Sequence, residues 1–569
     1  MEHSIRQMQM SNAVAALCVS ALLAGCGGGG GGSSSVSSTP APTPAPAPSP
    51  SPSPSPAPTP SPAPTPVAIC TPPISPSTNA ATIVVGTGTA ASCTQAALTQ
   101  ALAAGGVIHF NCGGAVTIPI TAQQTVRTDV DTTIDGDNLI TLDGGGQTRI
   151  FYFYSPNFQA TTTTFTIQNI TLQNAHSTGT AIPPAPAPCS QGTMLDGGGA
   201  AIYVRDGVLK VFNTVFKNNT GAATGPDVAG GSIYTLGSLG TTVVGSTFDS
   251  NKASNGGAIG ALFGDLSVYN STFTSNQATG SGANNISSQC TVNGGEVGNG
   301  GNGGAVSMDG GETFAVTICG STFASNAAGS GALGGAVFRT PDAAMQTTTI
   351  DRSTFNGNTA PGGGAMYFHN SNLVMTASTV SNNTATGSGG ALFSDGSVLQ
   401  FTNDTFFNNK ATLGLGGSIF LSGNSGTLTN LTFFDNTAPG GSGYFGAAIA
   451  GGTALTINNT LFSENTTQDC GSPMTCASGS GSGTHDLQWP LAHIVCPNPD
   501  PACTPSTVFS NPLLPAQLHA NGGPTLTLLP ATGSPAASLG QNCPPTDQRG
   551  VVRPANGCTA GAVQGTGTQ

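Results

Sequence analysis

An apolar residue followed three positions later by asparagine recurs nine times between Val215 and Asn465. The pairs are Phe216/Asn219, Phe248/Asn251, Phe273/Asn276, Phe323/Asn326, Phe355/Asn358, Val380/Asn383, Phe406/Asn409, Phe433/Asn436 and Phe462/Asn465. Successive copies lie 25 to 32 residues apart, except for one interval of 50 between Phe273 and Phe323. A period of that size is what one coil of a solenoid consumes. The long interval is either two periods or one coil carrying a long insertion. Most copies follow a Gly-Gly-Ala, and short alternating stretches of Gly, Thr, Ser, Asn, Val and Phe run between the motifs. Helical repeats need amphipathic runs of Ala, Leu, Glu and Lys. Each coil here therefore reads as strands joined by tight turns.

Alternation fixes which side chains face inward. In the stretch 363–369, Met366 and Phe368 point one way and Ala365, Tyr367 and His369 the other. The same phase puts Ile202, Val204, Val306, Met308, Leu392, Ile419 and Leu421 in one interior column. The motif Phe residues stack from coil to coil, about 4.8 Å apart along the axis. The Asn falls where the chain turns inward, so Asn219, Asn251, Asn276, Asn326, Asn358, Asn383, Asn409, Asn436 and Asn465 are predicted to form a buried ladder. A residue demanded in every coil is structural before it is a ligand site.

Gly-Gly-Ala followed by Ile, Val or Leu, alternating with F-x-x-N over residues 197–467, resembles the repeat pair of polymorphic outer membrane proteins. These sit within the larger group of right-handed parallel β-helix proteins of pectate-lyase type. The resemblance implies an all-β, right-handed parallel β-helix solenoid. A second resemblance lies in Asn521-Gly522-Gly523-Pro524-Thr525, Gly533-Ser534-Pro535-Ala536, Thr546-Asp547-Gln548-Arg549-Gly550 and Arg553-Pro554, which are similar to the C-terminal module of bacterial surface β-helix proteins called choice-of-anchor Q.

The N-terminus carries Arg6, an apolar run over 13–24 and then Leu23-Ala24-Gly25-Cys26. It resembles a bacterial lipoprotein signal, which implies removal of residues 1–25, lipidation of Cys26 and, with Gly27 next, an outer-membrane or cell-surface address reached through the lipid anchor. Residues 26–66 then form a stalk, Gly/Ser-rich at first and proline-rich over 39–66. In extended polyproline form, at about 3.1 Å per residue, the proline part reaches roughly 85 Å.

A solenoid has two open ends whose edge strands need cover. Residues 94–104, rich in Ala, Leu and Gln, are predicted to be a capping helix started by Thr94 and stopped by Gly105-Gly106. They belong to a region, 67–196, of N-terminal cap and first coils, and 468–569 is expected to cap the other end. Twelve cysteines remain beyond Cys26. The close pairs Cys470/Cys476, Cys496/Cys503 and Cys543/Cys558 are expected to be short disulfide loops; Cys93 and Cys112 flank the N-terminal cap, and pairing among Cys70, Cys93, Cys112, Cys189, Cys290 and Cys319 is open.

Parallel β-helices host polysaccharide lyases and hydrolases, so enzyme chemistry enters by analogy. The residues supply little for it. There is no Asp-Asp pair, no Gly-His-Gly and no C-x-x-C, and the seven His are scattered, so no metal site is expected. Asp143, Asp206, Asp309 and Asp395 each precede Gly and read as turn residues. Asp135, Asp137, Asn138 and Asp143 are a weak candidate Ca²⁺ loop. A formal charge of -12 repels polyuronates, and 12 unclustered basic residues make nucleic acid an unsuitable partner.

The sharper surface feature is the residue after the inward aliphatic: Tyr203, Tyr234, Phe338, Tyr367, Phe393 and Phe420. These form either an outward aromatic ladder for stacking sugar rings or docking a surface protein, or a surface covered by other chain. Insertions at 176–196, 221–229 and 278–302 fall in one leg of the coil, where a solenoid often carries its binding surface. The expected function is that of a non-catalytic adhesin or glycan- or protein-binding surface protein. The alternatives are a polysaccharide lyase or glycoside hydrolase centred on Arg205, His369 and neighbouring acids, or a structural envelope spacer. The oligomeric state is left open.

Overall fold

The computed structural model describes residues 70–567, apart from 79–82, 180–195, 226, 282–290, 293–294, 297–299, 311–313, 342–344, 441–444, 453, 469–473, 478–480 and 494–497. The signal, Cys26 and the stalk therefore lie outside the described residues, as do Cys189, Cys290, Cys470 and Cys496.

Three long parallel sheets wind into a right-handed β-helix. The Gly-Gly sheet has eleven strands, from Gln124–Val126 to Ile449–Gly451. The middle sheet has fourteen, from Ile83–Val85 to Ser482–Thr484, and the Phe sheet fourteen, from Val116–Pro119 to Val508–Phe509. One coil shows the path: Met366–His369 in the Gly-Gly sheet, Ser371–Thr376 in the middle sheet, then Thr379–Ser381 in the Phe sheet. The interval of 50 residues is one coil with an insertion, because Phe273 pairs directly with Phe323 and Val268 with Ile318.

The repeat residues have separate jobs. The first Gly of Gly-Gly-Ala turns the chain with positive φ, as at Gly363 (62°), where side chains are disfavoured. The second lies against its neighbour: a Cβ on Gly364 would sit 2.0 Å from the Gly390 carbonyl oxygen. The Phe rings stack inside, with centroids 4.6 to 4.9 Å apart from Phe216 to Phe355. Val380 interrupts the stack, which resumes at Phe406, Phe433 and Phe462.

The nine Asn form a continuous buried ladder. From Asn251 onward each Oδ1 accepts from the backbone N–H and the Nδ2 of the preceding Asn, as Asn383 does from Asn358 at 2.9 Å in both bonds, while the Asn219 Oδ1 accepts from the Ala175 N–H. Each Nδ2 also donates to a carbonyl of the coil before, that of Leu172 for Asn219 and of an earlier motif residue for the rest, as Asn358 does to Phe323 at 3.0 Å. The residue before each Asn is left-handed, from Asn218 (φ 54°) to Glu464 (φ 56°).

A second ladder, not foreseen from the sequence, runs two residues before each Phe. The backbone N–H groups of Thr214, Ser246, Ser271, Ser321 and Ser353 each donate to the hydroxyl of the next coil at 3.1 to 3.2 Å. Ser378 N–H donates instead to the Asp404 carboxylate at 2.8 Å.

Both ends differ in arrangement. The helix Gln95–Ala104 caps the first coil, with Thr94 accepting from Ala97 N–H and Leu98, Ala101 and Leu102 buried. Cys93 bonds to Cys112, one of the pairings the sequence left open. Before it, residues 70–78 form a strap along the turn between middle and Phe sheets, tied by a Cys70–Cys319 disulfide.

At the far end, Cys476 bonds to Cys503, which corrects the expected Cys470/Cys476 and Cys496/Cys503 loops; Cys543–Cys558 is formed as expected. The loops fail because the segment around Cys503 adds to the stack beside the segment around Cys476, bringing partners from adjacent layers together. The tail is also more than an end cap. It folds back along the outside of earlier coils, with Gln548 bonded to Thr379 and Thr405 and Arg553 to Asn403.

Candidate functional site

Two outward columns line the Gly-Gly sheet. The first runs through Tyr152, Tyr203, Tyr234, Gly260, Ser307, Phe338, Tyr367, Phe393 and Phe420 as cross-strand neighbours, so the six aromatic residues singled out from the sequence do share one column. They do not share one environment. Tyr203, Tyr234 and Phe338 are 0%, 1% and 2% exposed, which corrects their assignment to an open surface.

The cause is a roof of inserted chain. Tyr234 donates to the Asp227 carbonyl at 2.8 Å, and Gly198 and Gly199 lie against its side chain. The Arg149 guanidinium lies 5.1 Å from the Tyr203 ring centroid while its N–H groups bond the Gly198 and Gly199 carbonyls. Phe338 borders a small cavity of about 20 Å³ together with Asp227, Asn255, Asn302 and Asp309.

Beyond this roof the column comes to the surface. Tyr367, Phe393 and Phe420 are half-buried. Phe338 stacks on Tyr367 at 5.3 Å, and Tyr367, Phe393 and Phe420 follow edge to face at 5.2 and 4.9 Å. Edge-to-face packing holds rings in fixed orientation while leaving ring surface uncovered.

The second column runs alongside. His369 and Asp395 are cross-strand partners, with Nδ1 2.9 Å from the carboxylate, and Asp395 pairs across to Ser422. Their side chains are 21% and 27% exposed. Burial pushes the Asp395 carboxyl up, but hydrogen bonds from His369 and Ser422 outweigh it and hold the group below its ordinary value. The carboxylate thereby fixes the imidazole, and among the described residues no hydrogen bond reaches its Nε2. An imidazole so oriented can donate to, accept from, or exchange a proton with a molecule lying over Phe393.

Arg205 does not join this group. It lies five strands earlier in the same sheet, roughly 24 Å away at the usual strand spacing. Its guanidinium bonds the Ser155 and Asn157 carbonyls and lies 5.2 Å from the Tyr154 ring centroid, so it anchors the loop after Tyr154. Asp206 helps by accepting from Ala160 and Thr161 N–H groups. The composite Arg205–His369 site is thus not assembled.

The remaining carboxylates are engaged locally. Asp143 accepts from Gly145 N–H, Gln173 and Asn174, and Asp309 from Gly310 N–H and Thr340. Asp135 accepts from Thr78, Gln168, Asn169 and Asp137 N–H at 2.7 to 3.0 Å. Amide and hydroxyl donors thus point at the oxygens that a Ca²⁺ ion in the 135–143 loop would need. Cys70, Cys319 and Asp351 come within ligand distance of one another, but the two sulfurs are bonded together.

A family model described as a right-handed β-helix region matches residues 315–466. No curated protein matches the chain. Among solved structures, the chain is similar to the A-module of Azotobacter vinelandii mannuronan C-5 epimerase AlgE4, at 10% identity and a TM-score of 0.30, over 75% of this chain and 97% of that one. It is likewise similar to the AlgE6 A-module from the same organism, at 11% identity and a TM-score of 0.30, over 76% of this chain and all of that one.

Proposed function

We propose that this protein is a non-catalytic surface β-helix that binds neutral glycan chains along the Tyr367–Phe393–Phe420 strip, with His369 and Asp395 as polar contacts beside the rings. The observation that carries the reading is the emergence of a three-ring ladder from under the insertion roof, next to a fixed imidazole. Partly exposed rings in a row suit the faces of successive sugars. A net charge of -12 and the absence of Lys or Arg from these two columns after Arg205 at outward positions disfavour polyanions. In the same proposal, residues 1–25 direct export, lipid on Cys26 anchors the chain in the bacterial outer membrane, and residues 26–66 hold the solenoid away from it.

The test is affinity electrophoresis and calorimetry of residues 67–569 against neutral and acidic polysaccharides. Binding of a neutral polymer that falls at least tenfold in Phe393→Ala and Phe420→Ala supports the proposal; unchanged binding in both variants overturns the assignment of the strip. Anchoring is tested separately, and unchanged mass and detergent partitioning after Cys26→Ser would sink it.

One observation favours an enzymatic second reading, namely the carboxylate-oriented His369, whose Nε2 receives no hydrogen bond among the described residues. New reducing ends or unsaturated products that appear with the wild type and vanish in His369→Asn would replace binding with catalysis.

A further inference from the structure

Among the described residues, one disulfide and five hydrogen bonds hold the N-terminal strap to the solenoid. None of residues 71–78 is buried, and Ile74 is 92% exposed. Among the described residues the hydrogen bonds that tie it to the solenoid are at its two ends and at Pro76: Cys70 shares two with the Asn270 amide, the Pro76 carbonyl accepts from Gln168, and Thr78 reaches Asp135 and His109. Cys70 itself is 5% exposed and bonded to Cys319, 249 residues further along the chain.

That bond displaces the point of attachment. Thr78 lies beside the strand Gly106–Phe110, whereas Cys319 closes a strand six positions later in the middle sheet. At the usual spacing the two points are roughly 29 Å apart along the axis. We propose that the Cys70–Cys319 disulfide is a mechanical clamp, through which any pull arriving along residues 1–69 enters the solenoid in mid-stack. The capping helix and the coils between residues 83 and 315 are then out of the load path.

The physical benefit follows from how solenoids come apart. Each coil contacts only its neighbours, so an end coil can peel without disturbing the rest. Pulled through the strap alone, the chain would lose the strap, then Ile83–Val85, then one coil after another. Pulled through Cys319, the loaded strand is flanked by Leu266–Tyr269 on one side and Gln346–Asp351 on the other, so both neighbours must yield together. The clamp acts whatever supplies the pull; the lipid proposed for Cys26 is one source, and its own test does not bear on the clamp.

The experiment is single-molecule stretching of the full chain by its two ends in non-reducing buffer, comparing wild type with Cys70→Ser/Cys319→Ser. Circular dichroism of the variant should match wild type, since the strap is superficial. The variant should then yield first at lower force in coil-sized steps, and its total released length should exceed that of wild type by several hundred ångström, at about 3.5 Å per freed residue. Equal released lengths, or equal first rupture forces without coil-sized steps, overturn the proposal. If the variant does not fold, folded wild type treated with dithiothreitol supplies the same comparison, with opened cysteines mapped by mass; reduction of Cys70 and Cys319 with no change in first rupture force also overturns it.

Discussion

At the scale of single residues, the ladders show how a chain with 6% charged residues satisfies the backbone of a buried turn. The Asn358 side chain takes part in four bonds, accepting from Asn326 N–H and Nδ2 and donating to the Phe323 carbonyl and to the Asn383 Oδ1. Asn358→Ala orphans the Asn326 donors in a dry interior, and chemical denaturation should record a loss of roughly 3–5 kcal/mol. The hydroxyl ladder ends differently, with carboxyls at Asp404 and, further on, Asp486, both fully buried. Burial pushes Asp404 well above its ordinary value and Asp486 up to about 7, against the bonds they accept from Ser378 and Thr460 N–H groups. The unfolded carboxyl loses its proton near 3.9. Between there and about pH 7 the folded chain holds more protons, so this contribution to stability is present in acid and declines as pH rises through that window. Asp486→Asn keeps an acceptor for the Thr460 N–H and puts an amide donor where the carboxylate accepts from the Thr504 hydroxyl, which can turn to accept instead, and should flatten the decline in a series of melts from pH 4 to 8.

At the scale of elements, legibility depended on whether a contact repeats. Phe stacking, the Asn ladder and the Gly-Gly turn recur in coil after coil, so their periodicity exposed both the fold and the interior. The hydroxyl column was equally periodic, as Ser-Thr-Phe at Ser246, Ser271, Ser321 and Ser353, but Ser is common in exposed turns and its burial had no separate mark. The aromatic column was legible as a column and not as a surface, because nothing periodic marks that Gly198 and Gly199 and the inserted segment at 227–229 lie over it. Glycine positions show the same division. Gly364→Ala would push a Cβ to 2.0 Å from the Gly390 carbonyl oxygen and should cost more than about 2 kcal/mol, whereas Gly240 has nothing within 4 Å and Gly240→Ala should stay within about 0.5 kcal/mol of wild type in the same denaturant series.

For residues 70–567 as a whole, the coils are held by neighbours in the stack while two non-repeating segments run across them. The strap covers the turn beside Asn270, and the tail covers the same turn further on, at Asn403, Asn430 and Asn459. Asn459 binds Gln541 as Asn270 binds Cys70, its amide meeting both backbone N–H and carbonyl. The T-D-Q-R-G segment supplies the tail's central contact: Asp547 pairs with Arg549 inside the tail, freeing Gln548 to reach the solenoid. These partners lie some 140 to 170 residues away in sequence, beyond any local pattern. Gln548 donates to the Ser378 carbonyl, Thr379 and Thr525 and accepts from Thr405, all in a buried setting. Gln548→Leu leaves Thr405 and the Ser378 carbonyl without those bonds, a penalty of roughly 2–3 kcal/mol on tail docking. Because stability in a stack is a sum of neighbour terms, that penalty should stay local. Hydrogen exchange should therefore quicken in residues 521–564 and in the strands Thr379–Ser381 and Thr405–Phe407, while the strands from Val208–Phe212 to Val316–Cys319 keep their protection; uniform acceleration along the solenoid would instead mean that the tail and coils unfold as one unit.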